Sequence, residues 1–321
     1  MRQHMPTKLP TETDLRVTEP TPLERYTATA SSSARVVINN YSTSFSLACR
    51  MLERQSRTHI ANVYALVRLV DEVVDGVARE AGLSTEATRQ ALDNLEAQTE
   101  TALQTGYSTN LIVHAFATTA RSCGIDTNLT RPFFASMRND LNISNHDETS
   151  LDKYIFGSAE VVGLMCLSVF RAAPQASTGN DDAAAAAARR LGAAFQKVNF
   201  LRDLASDTNE LGRSYFPGLL PNALANNHKD MLVKEIKADL DAAAQGLVFL
   251  PPRAQLAVSL AHALFTELNE RLKRSSTADL LNQRISVTPA RKAVIVLRVV
   301  GAHLVKRICQ RPSSHQMENR R

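Results

Sequence analysis

Apolar residues recur every three to four positions in long blocks along the chain, and alternation with a period of two is scarce. The pattern predicts helices over residues 36–52, 57–78, 86–105, 110–122, 131–142, 151–171, 181–207, 233–247, 253–274 and 289–311. Turn residues fall between these blocks, as in Gly82-Leu-Ser-Thr and Pro251-Pro252. With no hairpin signature, the reading is all-α: one large helical domain over residues 26–311, a polar tail over 1–25 and a short basic tail over 312–321.

Two of the predicted helices carry an unusual polar stripe. Within residues 60–77 the charged positions are Arg68, Asp71, Glu72 and Asp75. Tyr64, Arg68, Asp71 and Asp75 share one helical face, and most of the remaining circumference is Ala, Leu and Val, so the helix should be buried almost all round. About 130 residues later Gln196, Asn199, Asp203 and Asp207 repeat the spacing, with Arg202 beside them. Like charges four residues apart on a helix repel by roughly 0.2 to 0.5 kcal/mol, and by more where water is excluded. A cation between the stripes would remove that cost. Carboxylates and a carboxamide, without imidazole or thiolate, suit magnesium, or alternatively manganese. Arg68, Arg202 and Arg213 then stand where guanidinium groups could clamp phosphate oxygens, and Tyr215 leaves the second stripe in the same turn as Arg213.

Composition narrows the class further. Gly and Pro number 12 each in 321 residues, and 44% of the chain is apolar. The four cysteines, Cys49, Cys123, Cys166 and Cys309, form no paired motif, which predicts buried free thiols in a reducing compartment. Neither a signal-peptide pattern nor an uninterrupted apolar run of membrane-spanning length is visible; the longest candidate, residues 293–305, is broken by Arg298. A cytoplasmic location is expected. The net charge of +5 is uneven: residues 284–321 hold nine Lys or Arg against one Glu, leaving the rest at −3. Such a basic end could touch anionic lipid at the inner face of a membrane. With 5% aromatic residues and no recognisable module, nucleic acid is not an expected partner, and the pattern fixes no oligomeric state.

Taken together, Tyr41-Ser-Thr-Ser-Phe45, the Tyr64 to Asp75 face, Tyr154 with Ala159 and Gly163, the Gln196 to Asp207 stripe and Gly212-Arg-Ser-Tyr-Phe-Pro217 resemble the squalene/phytoene synthase family over about residues 35–307. Arg284-Ile-Ser-Val-Thr-Pro-Ala-Arg-Lys292 looks most like its bacterial phytoene synthase branch. The resemblance implies a helical bundle of the class I isoprenoid synthase type with a central cavity. It also implies a head-to-head condensation of two prenyl diphosphates, with geranylgeranyl diphosphate going to phytoene in carotenoid biosynthesis. Asp71, Asp75, Asn199, Asp203 and Asp207 would be metal and diphosphate ligands. Tyr41, Ser42, Ser44, Arg68, Arg202, Arg213, Tyr215 and Arg284 would hold substrate. Phe45, Tyr64, Tyr154 and Gln196 would surround the reacting carbons. No NADPH is expected for a phytoene product, and no dinucleotide-binding glycine fingerprint is present.

The chain departs from the family pattern in four places. Thr43 stands where a basic residue is common, Glu160 where glycine is, the interval from Asp207 to Arg213 is one residue longer, and Leu264-Phe265 replaces a tyrosine. Two other readings stay open. One is a relative that uses C15 substrates to make dehydrosqualene, squalene or a presqualene-type intermediate. The other is a non-catalytic assembly factor. Phe133, Phe134 and Phe156 are candidates for the cavity floor.

Overall fold

Helix α1 (Pro22–Tyr41) starts on a reciprocal cap, in which the Thr21 side chain accepts from the Glu24 N–H and the Glu24 carboxylate accepts from the Thr21 N–H. It therefore begins inside the stretch expected to be a tail. In this computed structural model the described residues are 19–141, 147–174, 180–206 and 226–309. Among them there is no strand.

The periodicity across residues 36–52 reads as one helix, but the chain breaks at Ser42. Its backbone is extended, and its hydroxyl accepts from the Phe45 N–H at 3.1 Å, which caps α2 (Thr43–Cys49). Serine offers the backbone a bond that competes with helix continuation, and the break turns the Tyr41–Phe45 segment toward the interior. α3 (Arg54–Val74) is buried along Ile60, Val63, Leu66 and Val70. It ends where Gly76 takes φ 128°, a region that favours glycine, before the short α4 (Val77–Glu80). The predicted helix 57–78 is thus two pieces.

α5 (Thr85–Thr105), α6 (Leu111–Cys123) and α7 (Thr127–Asn139) start on Ser84, Asn110 and Asp126, whose side chains accept from the first-turn N–H groups. α8 (Glu148–Ile155) passes through a π-helical turn (Phe156–Glu160) into α9 (Val161–Arg171). The span Thr149–Arg171 is long and apolar enough, by length and composition, to cross a membrane, although the sequence showed no uninterrupted run. Half of it is buried inside the fold, where it packs against α7 and α10 (Asp181–Arg202). It is a core segment.

Contact of α9 and the π-helical turn before it with α10 depends on missing side chains. A methyl group at Gly163 would collide with the Ala188 carbonyl oxygen, and one at Gly192 with the Ala159 carbonyl. Within the alanine run, Ala187 packs where a methyl group at Gly246 would collide with it. After α11 (Leu204–Ser206), α12 (Asn226–Gln245) lies along α10, held by Arg190 and Lys197 on Asp239, each at 2.9 Å. α13 (Pro252–Arg274), α14 (Thr277–Asn282) and α15 (Pro289–Cys309) complete the bundle, with α13 touching α2, α12 and α15.

Candidate active site

α3 and α10 both face a cavity of about 710 Å³ that runs into the bundle. Every predicted site residue within the described segments lines it: Tyr41, Ser42, Ser44, Phe45, Tyr64, Arg68, Asp71 and Asp75 from one side, with Tyr154, Gln196, Asn199, Arg202, Asp203 and Arg284. Asp207, Arg213 and Tyr215 lie outside the described residues. Tyr41, Thr43, Asp75 and Arg284 are exposed and mark the open, polar end. The inner wall is apolar and built largely of small groups, including Gly163, Ala187, Gly192 and Gly246.

The expected floor residues are elsewhere. Phe133, Phe134 and Phe156 do not line the cavity: the first two pack edge to face in the core, centroids 5.7 Å apart, and Phe156 lies under the Arg189 guanidinium. Phe170, Leu247 and Leu250 line it instead. Spacing alone does not tell a core aromatic from a cavity aromatic. Two stacked pairs do face the cavity, Phe45 on Tyr64 at 5.6 Å and Phe195 on Phe265 at 3.7 Å.

The two acidic walls are built alike. α3 ends with Asp75 as its C-cap, its N–H donating to the Asp71 carbonyl at 2.8 Å. α10 ends with Asp203 as its C-cap, its N–H donating to the Asn199 carbonyl at 2.9 Å. The predicted continuous helix 181–207 is therefore interrupted at its acidic end. Each wall places a carboxylate where its helix ends.

Charge is balanced differently on each side. Burial pushes the Asp71 carboxyl up to about 8, the neighbouring Asp75 adds to this, and Arg68 opposes it. Arg68 itself pairs with Glu72 and lies 4.5 Å from the centroid of the Tyr41 ring. On the other wall Asp203 takes two guanidinium groups, Arg202 (Nε at 2.9 Å) and Arg284 (Nε at 2.7 Å).

Buried polar atoms on the cavity wall that lack a partner among the described residues include the Ser158 Oγ and, at the acidic end, the Asn199 Oδ1 and the Arg68 Nε–H; the last two bear on the chemistry. One is a hard oxygen acceptor and the other a cationic donor. With the carboxylates of Asp71, Asp75 and Asp203 they form a donor set suited to an oxygen-seeking divalent cation beside an oxyanion. Among the described residues no group of three His, Cys, Asp or Glu is gathered closely enough to hold an ion by itself.

Sequence reasoning missed two charged cavity residues. Asp140, at the end of α7, accepts a hydrogen bond from the Tyr154 hydroxyl at 2.8 Å, and both residues are buried. A single acid at a helix end carries no spacing signal. Lys292 on α15 donates to the Thr43 hydroxyl at 2.9 Å and lines the same cavity, although in the sequence it is one of many basic residues near the C-terminus. Cys49 and Cys166 also line the wall, and burial pushes both thiols up to about 12; of the cysteines expected to be buried, Cys49 is, whereas Cys123 and Cys166 are partly exposed. Glu160, the departure in the Tyr154 motif, pairs with Arg189 at 2.6 Å.

Similarity to known proteins agrees with this geometry. The chain is 26% identical over 295 residues to a chloroplastic phytoene synthase of an Oncidium hybrid cultivar, covering 86% of this chain and 69% of that one. Over 255 residues it is 28% identical to the phytoene synthase of Pseudescherichia vulneris, covering 73% and 79%. A solved dehydrosqualene synthase superposes with TM-score 0.68 at 19% identity, over 89% of this chain and all (100%) of that one, and a squalene synthase from Alicyclobacillus acidocaldarius with TM-score 0.67 at 21% identity, over 79% and 96%. These structures share the class I isoprenoid synthase fold. Since the squalene/phytoene synthase model also matches residues 38–291, most of the chain, the protein belongs to the squalene/phytoene synthase family.

Proposed function

We propose that the protein is a phytoene synthase, a prenyltransferase that joins two geranylgeranyl diphosphates head to head through a cyclopropyl diphosphate. The observation that carries this reading is one cavity with two chemistries: an open end of carboxylates and guanidinium groups, continuous with an apolar interior. Relatives named phytoene synthase support the C20 substrate over a C15 one.

Asp71, Asp75, Asn199 and Asp203 would hold magnesium, with Asp207 as a further candidate. When bound, the metal neutralises the first diphosphate and makes it a leaving group. Arg68, Arg202 and Arg284 orient the diphosphate oxygens, with Arg213 and Tyr215 as further candidates from the sequence. The apolar wall keeps water from the allylic cation, so the double bond of the second substrate is the nucleophile that reaches it. Phe45 and Tyr64 present ring faces to the developing charge. The Tyr154 hydroxyl already donates to Asp140, so its ring is the part offered to the cation. The released diphosphate takes up protons, and the route to phytoene ends on deprotonation without NADPH.

α15 supports peripheral contact of the enzyme with a membrane. Leu297, Leu304 and Val305 are 73%, 53% and 60% exposed on a helix that also carries the exposed Arg298. An aqueous enzyme releasing a hydrocarbon benefits from lipid nearby. Sedimentation with anionic but not with zwitterionic vesicles tests this contact.

Incubation with magnesium and geranylgeranyl diphosphate tests the reaction, with farnesyl diphosphate as the second substrate arm. A C40 hydrocarbon is expected. A C30 product alone would move the assignment to the dehydrosqualene or squalene branch, and no product from either would overturn the enzymatic reading in favour of a non-catalytic member.

A further inference from the structure

Lys292 is the cavity cation that the predicted site leaves unused. Its position is set by its neighbours on α15: Arg291 is tied to Glu267 of α13 at 2.9 Å, and Ile295, almost one turn on, is 3% exposed and packed in the cluster of Leu260, Ala261 and Leu264. The helix therefore presents Lys292 to the cavity rather than leaving it to wander. There its Nζ meets the Thr43 hydroxyl at 2.9 Å, and no carboxylate pairs with it among the described residues. The other cavity cations named above differ: Arg68 has Glu72, and Arg202 and Arg284 have Asp203.

A half-buried ammonium whose partner is a neutral hydroxyl has lost hydration without gaining a counter-charge. Burial accordingly lowers the Lys292 pKa. An anion delivered to the open end of the cavity would repair that loss. Thr43 is the first residue of α2, and its neighbours Ser42 and Ser44 also line the cavity, so an anion held there would meet hydroxyl donors and the ammonium together.

We propose that Lys292 is a diphosphate ligand, joining α15 to the Tyr41–Phe45 turn across the bound anion. This inference rests on the diphosphate reading of the cleft. Nothing in the sequence spacing connects position 292 with position 43; the fold brings them together.

Inorganic pyrophosphate is the probe, titrated calorimetrically into the full chain with and without magnesium. Lys292→Met should weaken binding by roughly ten- to a hundredfold, the range for a hydrogen bond to a charged group, and Lys292→Gln should do the same. Lys292→Arg should retain most of the affinity. Thr43→Lys placed on the Lys292→Met background should recover it, because the ammonium is returned to the same spot from the other side. Thr43→Val, which removes the tether but keeps the charge, should bind at least as well as the unaltered chain. Equal pyrophosphate affinity in Lys292→Met and the unaltered protein overturns the proposal. So does a loss in Thr43→Val as large as that in Lys292→Met, which would make Lys292 a structural tie between α15 and α2. If the unaltered chain binds no pyrophosphate under either condition, the diphosphate reading of the whole cleft fails, an outcome distinct from the other two.

Discussion

Arg284 donates from Nε to the Asp203 carboxylate at 2.7 Å, although 81 residues separate them in the chain. A group proposed for the diphosphate thus rests on a group proposed for the metal. Arg284 is 65% exposed, so the pair itself is weak, about 0 to 1 kcal/mol. Replacing Arg284 by Gln should strengthen Mn²⁺ binding in the absence of substrate by no more than about fivefold, while raising the KM for the prenyl diphosphate. Paramagnetic resonance of bound Mn²⁺ reads the first change and steady-state kinetics the second. Weaker Mn²⁺ binding in the variant would show that Arg284 supports the ligand arrangement instead of competing with it.

The Tyr154–Asp140 hydrogen bond is buried on both sides, and removing one partner should cost more than removing both. Tyr154→Phe and Asp140→Ala are each expected to lose about 1 to 3 kcal/mol of stability, with a non-additive double variant. Denaturant unfolding of the four proteins provides the cycle. Strict additivity would mean that the two side chains do not depend on each other.

Close approach of α9 and the π-helical turn to α10 predicts intolerance at Gly163 and Gly192. Alanine at either position meets a backbone carbonyl and should destabilise by about 1 to 3 kcal/mol, read as a lower urea midpoint. Alanine at Gly82, where an added Cβ meets no atom within 4 Å, is strained only by its φ of 86° and makes the comparison.

Glu267 links α13 to α15. The hydrogen bond from Arg291 holds its carboxyl below the ordinary 4.5, burial opposes this, and Arg271 adds to the lowering. A depressed carboxyl pKa contributes stability that is fully present above 4.5 and is lost as pH falls through the folded-state value. Glu267→Gln should therefore be less stable than the unaltered chain at neutral pH, and the two should converge in acid below pH 4.5. Thermal melts across that range check it. A stability gap that does not shrink in acid would assign the effect to packing.

Cys49 and Cys166, with thiols pushed up to about 12, should resist alkylation at pH 8 in the folded protein and react on unfolding. Peptide mapping after iodoacetamide treatment gives the answer. Rapid labelling of Cys166 in the native state would mean that the inner wall opens to solvent.

Helical period was enough to place both acidic stripes, because carboxylates four residues apart in an apolar block stand out in one dimension. It did not place the breaks at Ser42, Asp75 and Asp203. At Ser42 a side-chain oxygen ends the helix and after Asp75 a glycine dihedral does, while the hydrophobic rhythm continues; at Asp203 the helix ends with neither signal. Asp140 and Lys292 were invisible for another reason: each reaches the cavity by tertiary packing from a helix whose own pattern says only that one face is buried. The apolar floor follows the same rule, and Phe133 and Phe134, reasonable by residue type, turned out to serve the core.

Asp75 and Asp203 sit at the carboxyl ends of α3 and α10, where the helix macrodipole is itself negative and a carboxylate is disfavoured. Two such ends face one cavity, so the fold holds this region against an electrostatic cost that amides would not incur. At Asp203 the bonds from Arg202 and Arg284 offset that cost, so the clearest case is Asp75: Asp75→Asn should melt no lower than the unaltered chain in a thermal scan while losing turnover. Selection for robustness and selection for chemistry pull that position in opposite directions.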